Sequence, residues 1–226
     1  MTKNFKVRLS VSLTLLAMAT VFVFTFESIP FKIFFGSFAT VACIELLSFF
    51  KNKFHAIAPV LTIFEIGFLV AGTVFVARSN ALQIVLLIFG VCGYDVFAYL
   101  FGNLLGGKFT KKSRPFPHIS KGKTWEGTII GLIFSCFFIE AILLMMNSTD
   151  FIFLLCGPLA LIGDLFESFL KRRFSIKDSN EIVIKNKVFQ KLELLVGGDA
   201  GHGGYLDRID SMAFTGTILL IITLVI

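Results

Sequence analysis

The sequence predicts an all-α, polytopic membrane protein, a bundle of about seven transmembrane helices with a cytoplasmic N-terminus. Three observations predict it. First, 56% of the 226 residues are hydrophobic and only 16% are charged, where a soluble domain has about a quarter charged. The mean hydropathy is +0.86. Second, the charges are bunched between apolar runs close to the ~20 residues that a helix needs to cross the hydrocarbon core. Third, the basic residues alternate in side along those runs, as they do when cytoplasmic loops carry the Lys and Arg excess. The net charge of +6 is therefore a topology signal, and no nucleic-acid partner is expected.

Seven runs qualify: 9–26, 31–50, 56–77, 81–105, 124–146, 151–170 and 212–226. The last is short, with a start as early as Tyr205 open to it. The first has a basic lead-in (Lys3, Lys6, Arg8) and a small-x-small site at Ala17-Met18-Ala19, the marks of a cleavable leader. Its apolar run continues unbroken through Phe26, which favours a retained helix. With the N-terminus inside, 19 of the 21 basic residues fall on the cytoplasmic side, and only Lys32 and Arg78 fall outside. The outer loops, 27–30, 78–80 and 147–150, are too short to build a site. Both long loops, 106–123 and 171–207, face inward, so a soluble substrate is expected to be met there. The four cysteines, Cys43, Cys92, Cys136 and Cys156, lie in apolar runs without C-x-x-C spacing and read as small buried residues.

Charges inside a membrane are costly and need a reason. Six acids lie deeper in the runs than their first turns: Glu45, Glu65, Asp95, Glu140, Asp164 and Glu167. Glu45, Glu65 and Glu140 have no motif around them and read as helix-packing or bundle-facing polar groups. Asp164 opens a stripe. Positions 164, 167, 168 and 171 share one helix face and read Asp, Glu, Ser, Lys. Lys171 lies roughly 10 Å nearer the cytoplasm than Asp164, at 1.5 Å per residue. Such a stripe suits a polyanion held with a metal ion; the other reading is a polar seam with a snorkelling Lys171.

A second constellation runs from Gly201 to Ser211, with His202-Gly203-Gly204 and then Asp207-Arg208-Ile209-Asp210. Glycines let a backbone approach a phosphate. Asp207 and Asp210 share a face at a helix start, and with Asp164 they form an oxygen set for a divalent cation. Arg208 supplies a fork for phosphate. A glycine turn followed by a charged helix cap is the other reading. A third group, His118-Ile119-Ser120-Lys121-Gly122-Lys123-Thr124-Trp125-Glu126-Gly127, pairs cations and hydroxyls with the only tryptophan. Trp125 at a span boundary is also ordinary belt chemistry, and the loop cations also suit anionic lipid. No Walker A run is present. Asp95, followed one turn later by Tyr99, is a weak signal by itself.

Together these runs resemble the signature of phosphatidate cytidylyltransferases (CDP-diacylglycerol synthases). The residues that carry the resemblance are Ser168-x-Leu170-Lys171-Arg172 with Lys177-Asp178, then His202-Gly203-Gly204-x-x-Asp207-Arg208-Ile209-Asp210. The runs Lys123-Thr124-Trp125-Glu126-Gly127 and Asp95…Ala98-Tyr99…Gly102 resemble the family's other motifs, in the same order. Roughly the C-terminal 130 residues are covered. There are departures. Residues 179–201 separate Asp178 from His202, a longer segment than the family has, with the extra part near 181–199. Ala200 stands where a proline is usual, and Val96-Phe97 where Thr-Gly is common. A looped-out segment costs little if its ends stay close, so activity is expected to survive.

The resemblance implies a nucleotidyltransferase that turns CTP and phosphatidic acid into CDP-diacylglycerol and pyrophosphate for phospholipid synthesis. It implies one integral domain, with N-terminal spans in 1–90 and catalytic spans and loops in 91–226, in the plasma (inner) membrane with a cytoplasmic active site. Asp164 and Asp207 are implied as metal ligands, with Asp210 and Asp95 behind them. The implied cation is Mg²⁺, with a monovalent cation as a further candidate. Lys171, Arg172, Lys177 and Arg208 are implied to hold phosphates. Ser120, Lys123, Thr124, Ser168, Gly203 and Gly204 are implied to bind nucleotide or lipid head group. Asp178 and His202 join Asp164, Asp207 and Lys171 in the implied catalytic set, with His202 orienting a phosphate. Membrane lipids and a second copy of the chain, as a homodimer, are the other expected partners. The rival classes are an ion-coupled transporter, a CTP-dependent lipid kinase and an inactive relative.

Overall fold

The structure is a computed structural model and describes residues 29–49, 58–110, 114–173 and 206–225. It is all-helical, with no strand among the described residues. The helices are α1 Ile29–Phe49, α2 Ala58–Arg78, α3 Ala81–Leu104, α4 Trp125–Met146, α5 Cys156–Arg173 and α6 Leu206–Val225. A short 3₁₀ turn, Phe151–Leu155, leads into α5. Four stretches are long and apolar enough to cross a membrane: Pro59–Arg78, Ala81–Leu104, Trp125–Met146 and Phe151–Arg173. Shorter apolar helices lie at Ile29–Ile44 and Ile209–Val225. Six of the expected runs thus match helices, and the run 9–26 lies outside the described residues. The last helix starts at Leu206, close to the early start at Tyr205.

Local chemistry sets the helix ends. Asn80 opens α3 with a capping box: its Oδ1 accepts from Gln83 N at 2.9 Å, while Gln83 Oε1 accepts from Asn80 N at 3.2 Å. Asn147 closes α4 in the left-handed conformation, φ 48°. The last turn of α5 carries Lys171, Arg172 and Arg173, which complement the partial negative charge of a helix C-terminus. Lys32 Nζ donates to Ala77 O at 3.0 Å, so α1 starts beside the end of α2. At the other end of the bundle, Arg172 Nε donates to Ile119 O at 3.4 Å, joining α5 to the loop before α4.

The hydrophobic core centres on α3, where Ile84 through Ile88 are buried without a break, with Val91 and Tyr94 beyond them. A helix that is apolar all round is an interior helix. The outward faces of the other helices are apolar too: Ile33, Ile63, Phe137 and Leu144 are exposed, as faces in lipid require. Phe68 on α2 meets Phe166 on α5 and Phe214 on α6 edge-on, at 5.4 and 4.9 Å between ring centroids. Of the cysteines, Cys156 is buried, while Cys43, Cys92 and Cys136 are only half-buried, which corrects the expectation for those three. Glu140 is corrected as well: its side chain is exposed on α4 and does not face the bundle. Six residues, about 9 Å, separate it from the end of that helix. The side chain of Glu45 lies outside the described residues.

The α3–α4 crossing depends on Gly131. A Cβ there would stand 2.8 Å from Ala98 Cβ and 3.0 Å from Tyr94 O, whereas at Gly67 it would meet nothing within 4 Å. Gly131→Ala is therefore expected to destabilise the detergent-solubilised chain by about 1–3 kcal/mol. Gly67→Ala should hold stability or raise it by up to about 1 kcal/mol. Thermal unfolding of the two variants checks this, and equal melting temperatures would refute the crossing.

Candidate active site

Those predicted polar residues that the structure describes converge at the end of the bundle that carries the 105–124 loop. Thr124 is the N-cap of α4, its hydroxyl accepting from Gly127 N at 3.1 Å. Lys123 is thereby fixed immediately before the helix. Its ammonium pairs with the Asp164 carboxylate on α5 and lies over the Tyr94 ring of α3, 5.6 Å from the centroid. The side chains of Lys123 and Asp164 are only 14% and 34% exposed. Burial alone would draw the Lys123 pKa down, but Asp164, Tyr94 and Asp95 outweigh it and hold the ammonium above the ordinary lysine range. Lys123 is therefore a permanent cation at neutral pH.

The stripe on α5 is formed as its spacing predicts. Ser168 Oγ donates to Asp164 Oδ1 at 3.4 Å, and Lys171 Nζ pairs with Glu167 Oε2 at 2.7 Å. Opposite it, α6 brings Asp210, which is buried. Gly163 permits the approach, since a Cβ there would stand 3.0 Å from Phe214 Cβ and 3.1 Å from Ser211 Cα. Carboxylate oxygens of Asp164, Glu167 and Asp210 all lie within 4.8 Å of one another. Three hard oxygen donors this close, two of them buried, fit a divalent cation. Asp95 on α3 stands beside this cluster, within reach of the charges on Asp164 and Lys123.

The structure thus brings together Asp95, Lys123, Asp164, Ser168, Lys171 and Asp210. Arg172 sits exposed at the rim, its Nε engaged by Ile119 O. Ser120 is half-buried on the same loop, and the Thr124 hydroxyl serves the helix cap. Lys177, Asp178, His202, Gly203, Gly204 and the segment 181–199 lie outside the described residues, as do the side chains of Asp207 and Arg208. Three further groups stand outside the site residues that the resemblance implies, although the sequence places Glu167 in the α5 stripe and Glu126 in the Lys123 run. Glu167 completes the carboxylate cluster; its signal was its place one turn from Asp164. Tyr94 underlies Lys123, and only its position next to Asp95 hinted at it. Glu126 clasps the loop: its Oε1 accepts from Phe109 N at 3.1 Å, Thr110 N at 3.0 Å and Thr110 Oγ1 at 2.9 Å. Its signal was an acid in the first turn of a helix.

The family model described as "Cytidylyltransferase family" matches residues 1–184. The chain belongs to the cytidylyltransferase family. The match takes in Asp95, the Lys123 run and the Asp164 stripe, while the glycine-rich part at 201–211 lies beyond it. Curated relatives include a phosphatidate cytidylyltransferase of Staphylococcus saprophyticus, 33% identical over 184 residues, covering 76% of this chain and 62% of the relative. One of Rickettsia typhi is 33% identical over 153 residues, 62% of this chain and 58% of the relative. Chloroplastic phosphatidate cytidylyltransferase 4 of Arabidopsis thaliana is 36% identical over 137 residues, 57% and 29%. This cytidylyltransferase-family chain therefore spans at most about three fifths of the length of these relatives. No solved structure matches it.

The Glu126 clasp has a direct readout. Glu126→Ala is expected to strip hydrogen-exchange protection from the Phe109 and Thr110 amides while the middle of α4, around Ile139, stays protected. Unchanged protection at 109 and 110 would show that the loop is held by something else.

Proposed function

We propose that this chain transfers the cytidylyl group of CTP to phosphatidic acid, giving CDP-diacylglycerol and pyrophosphate, at the cytoplasmic end of a helix bundle in the plasma (inner) membrane. The observation that carries the reading is the partly buried juxtaposition of Lys123 and Lys171 with the Asp164, Glu167 and Asp210 carboxylates. Anion-binding ammonium groups and a cation-binding oxygen cluster side by side are what a metal–triphosphate needs. The family membership and the relatives named phosphatidate cytidylyltransferase support the same substrates.

The chemistry is a displacement at phosphorus. A phosphate oxygen of the lipid bonds to the α-phosphorus of CTP, and the bond from that phosphorus to the β-phosphate bridging oxygen breaks, releasing pyrophosphate. The attacking oxygen is already anionic, so no strong general base is required. Positioning and charge neutralisation do the catalysis. Lys123 and Lys171 reach from their carboxylate partners to substrate phosphates, and because those partners are fixed on α5 the ammonium groups are pre-oriented. Tyr94 supports Lys123 from below. Asp164, Glu167 and Asp210 would hold the cation, Mg²⁺ in this reading, which supplies charge neutralisation on the triphosphate. The resemblance adds Asp207 to that set, and adds Lys177, Asp178, His202, Gly203, Gly204 and Arg208 around the phosphates. A bundle whose outer faces are apolar also gives a lipid substrate a lateral way in.

The test is pyrophosphate release from CTP by the detergent-solubilised chain. Release should require phosphatidic acid and stop with EDTA. Lys123→Met and Asp164→Asn should each lower it by about 10²-fold or more in folded protein. Near-normal release from either variant would remove that residue from the mechanism, and CDP in place of pyrophosphate would mean kinase chemistry.

A further inference from the structure

The loop between α3 and α4 carries charge and apolar surface that the site described above does not use. Residues 105–124 hold six Lys and Arg and no Asp or Glu. α3 has 24 residues, about 36 Å at ~1.5 Å per residue, which exceeds the ~30 Å hydrocarbon core. Its end, with the start of α4 packed on it at Gly102 and Gly127, therefore reaches the level of the lipid head groups. The two ends of the loop close on each other there, since a Cβ at Gly106 would stand 2.8 Å from Thr124 Cγ2. The chain turns sharply at that point. Gly107 takes the left-handed conformation, φ 79°, and Lys108 N donates to Leu105 O at 2.9 Å. The turn delivers Phe109 and Thr110 to Glu126, whose Oε1 accepts from both backbone amides. Glu126 is itself buried in the first turn of α4. The backbone of Phe109 is thus held, yet Phe109 is 76% exposed. Apolar side chains scattered singly over a surface need no explanation. This one is not single: Leu104 before the turn and Trp125 next to Glu126 are exposed too. So are Lys108, beside Phe109, and Lys121, shortly before α4.

We propose that this turn is a docking surface for anionic phospholipid. The Phe109 ring enters the boundary between head groups and acyl chains together with Leu104 and Trp125, while Lys108 and Lys121 hold lipid phosphates. Apolar tips with cations around them match a bilayer surface that carries negative charge. The bilayer already borders both helix ends from which the turn projects, which favours it over a soluble acidic partner. Glu126 is the post that fixes where the ring stands. The surface is separate from the Lys123–Asp164 pair, and the inference does not depend on the reaction assigned to that pair. It takes anionic lipid in general, not a substrate alone, and keeps such lipid beside the loop that carries Lys123.

Trp125 is the only tryptophan of the chain, so its fluorescence reports on this surface directly. The full chain is placed in phosphatidylcholine nanodiscs, and quenching by brominated phosphatidylglycerol is compared with quenching by brominated phosphatidylcholine. Phosphatidylglycerol is expected to associate about 5-fold more strongly. The preference should vanish in about 0.5 M KCl and in the Lys108→Gln, Lys121→Gln double variant. Equal quenching by the two lipids would overturn the proposal, as would a preference that the folded double variant keeps. If Lys123→Met removes that preference and the double variant does not, the lipid sits in the active site and the proposal falls. If the double variant does not fold, salt decides: a preference unchanged by KCl overturns the proposal and a lost one supports it. Phe109 is tested by moving the reporter. In the Phe109→Trp, Trp125→Phe variant, emission should be shifted to the blue and quenched by brominated lipid. Emission like that of tryptophan in water, quenched by iodide and not by brominated lipid, would overturn the insertion of the ring and point to a soluble partner instead.

Discussion

The ion pair between Lys123 and Asp164 is the interaction on which the rest of the site depends. Two charges brought into an apolar bundle are stable only if their geometry is good and their neighbours complete it. Much of the nearby structure serves that end. Thr124 caps α4 so that Lys123 leaves the helix at a fixed point. Tyr94 lies under the ammonium, Ser168 donates to the carboxylate, and Arg114 donates to Gly122 O at 3.3 Å in the approach to Lys123. The pair also joins elements distant in sequence: the loop before α4 becomes tied to α5, where Asp164 and Glu167 meet Asp210 of α6.

In the proposed reading, this arrangement lets a membrane bundle host phosphate chemistry. Lipid excludes water from the walls, so each charge in the cluster acts through a medium of low dielectric. The carboxylates are held before any substrate arrives, by glycine at the α5–α6 contact and by aromatic packing of Phe68, Phe166 and Phe214 directly beneath. The proposed reaction then needs little reorganisation as charge shifts at phosphorus. The Glu126 clasp keeps the 107–110 segment folded back on the start of α4, so the rim keeps its shape as well.

What could be read from the sequence follows helix geometry. The Asp164, Glu167, Ser168, Lys171 stripe was legible because a helix period puts those positions on one face, and the structure pairs them in that order. The runs for α2 to α5 were legible because a membrane imposes a length and a composition on each span. Contacts between distant elements were not. Nothing in the spacing says that Asp210 meets Glu167, or that Glu126 reaches back 16 and 17 residues to Thr110 and Phe109. Glu140 misled because one intramembrane acid resembles another in sequence, and only the packing distinguishes an exposed Glu140 from a buried Glu65. Helix spacing already set Asp164 beside Asp207 and Asp210 as an oxygen set, and the family resemblance put Asp164 and Asp207 first. Neither could show that Glu167 completes the cluster.

The measurement that tests this reading most directly follows the phosphorus. The full chain in detergent is given phosphatidic acid, Mg²⁺ and CTP labelled at the α-phosphorus, and the lipid phase is then counted. Label in the lipid, in a product that carries cytidine, is the predicted result. Label that stays in water-soluble nucleotide, from protein shown to be folded, would contradict cytidylyl transfer at the Lys123–Asp164 site.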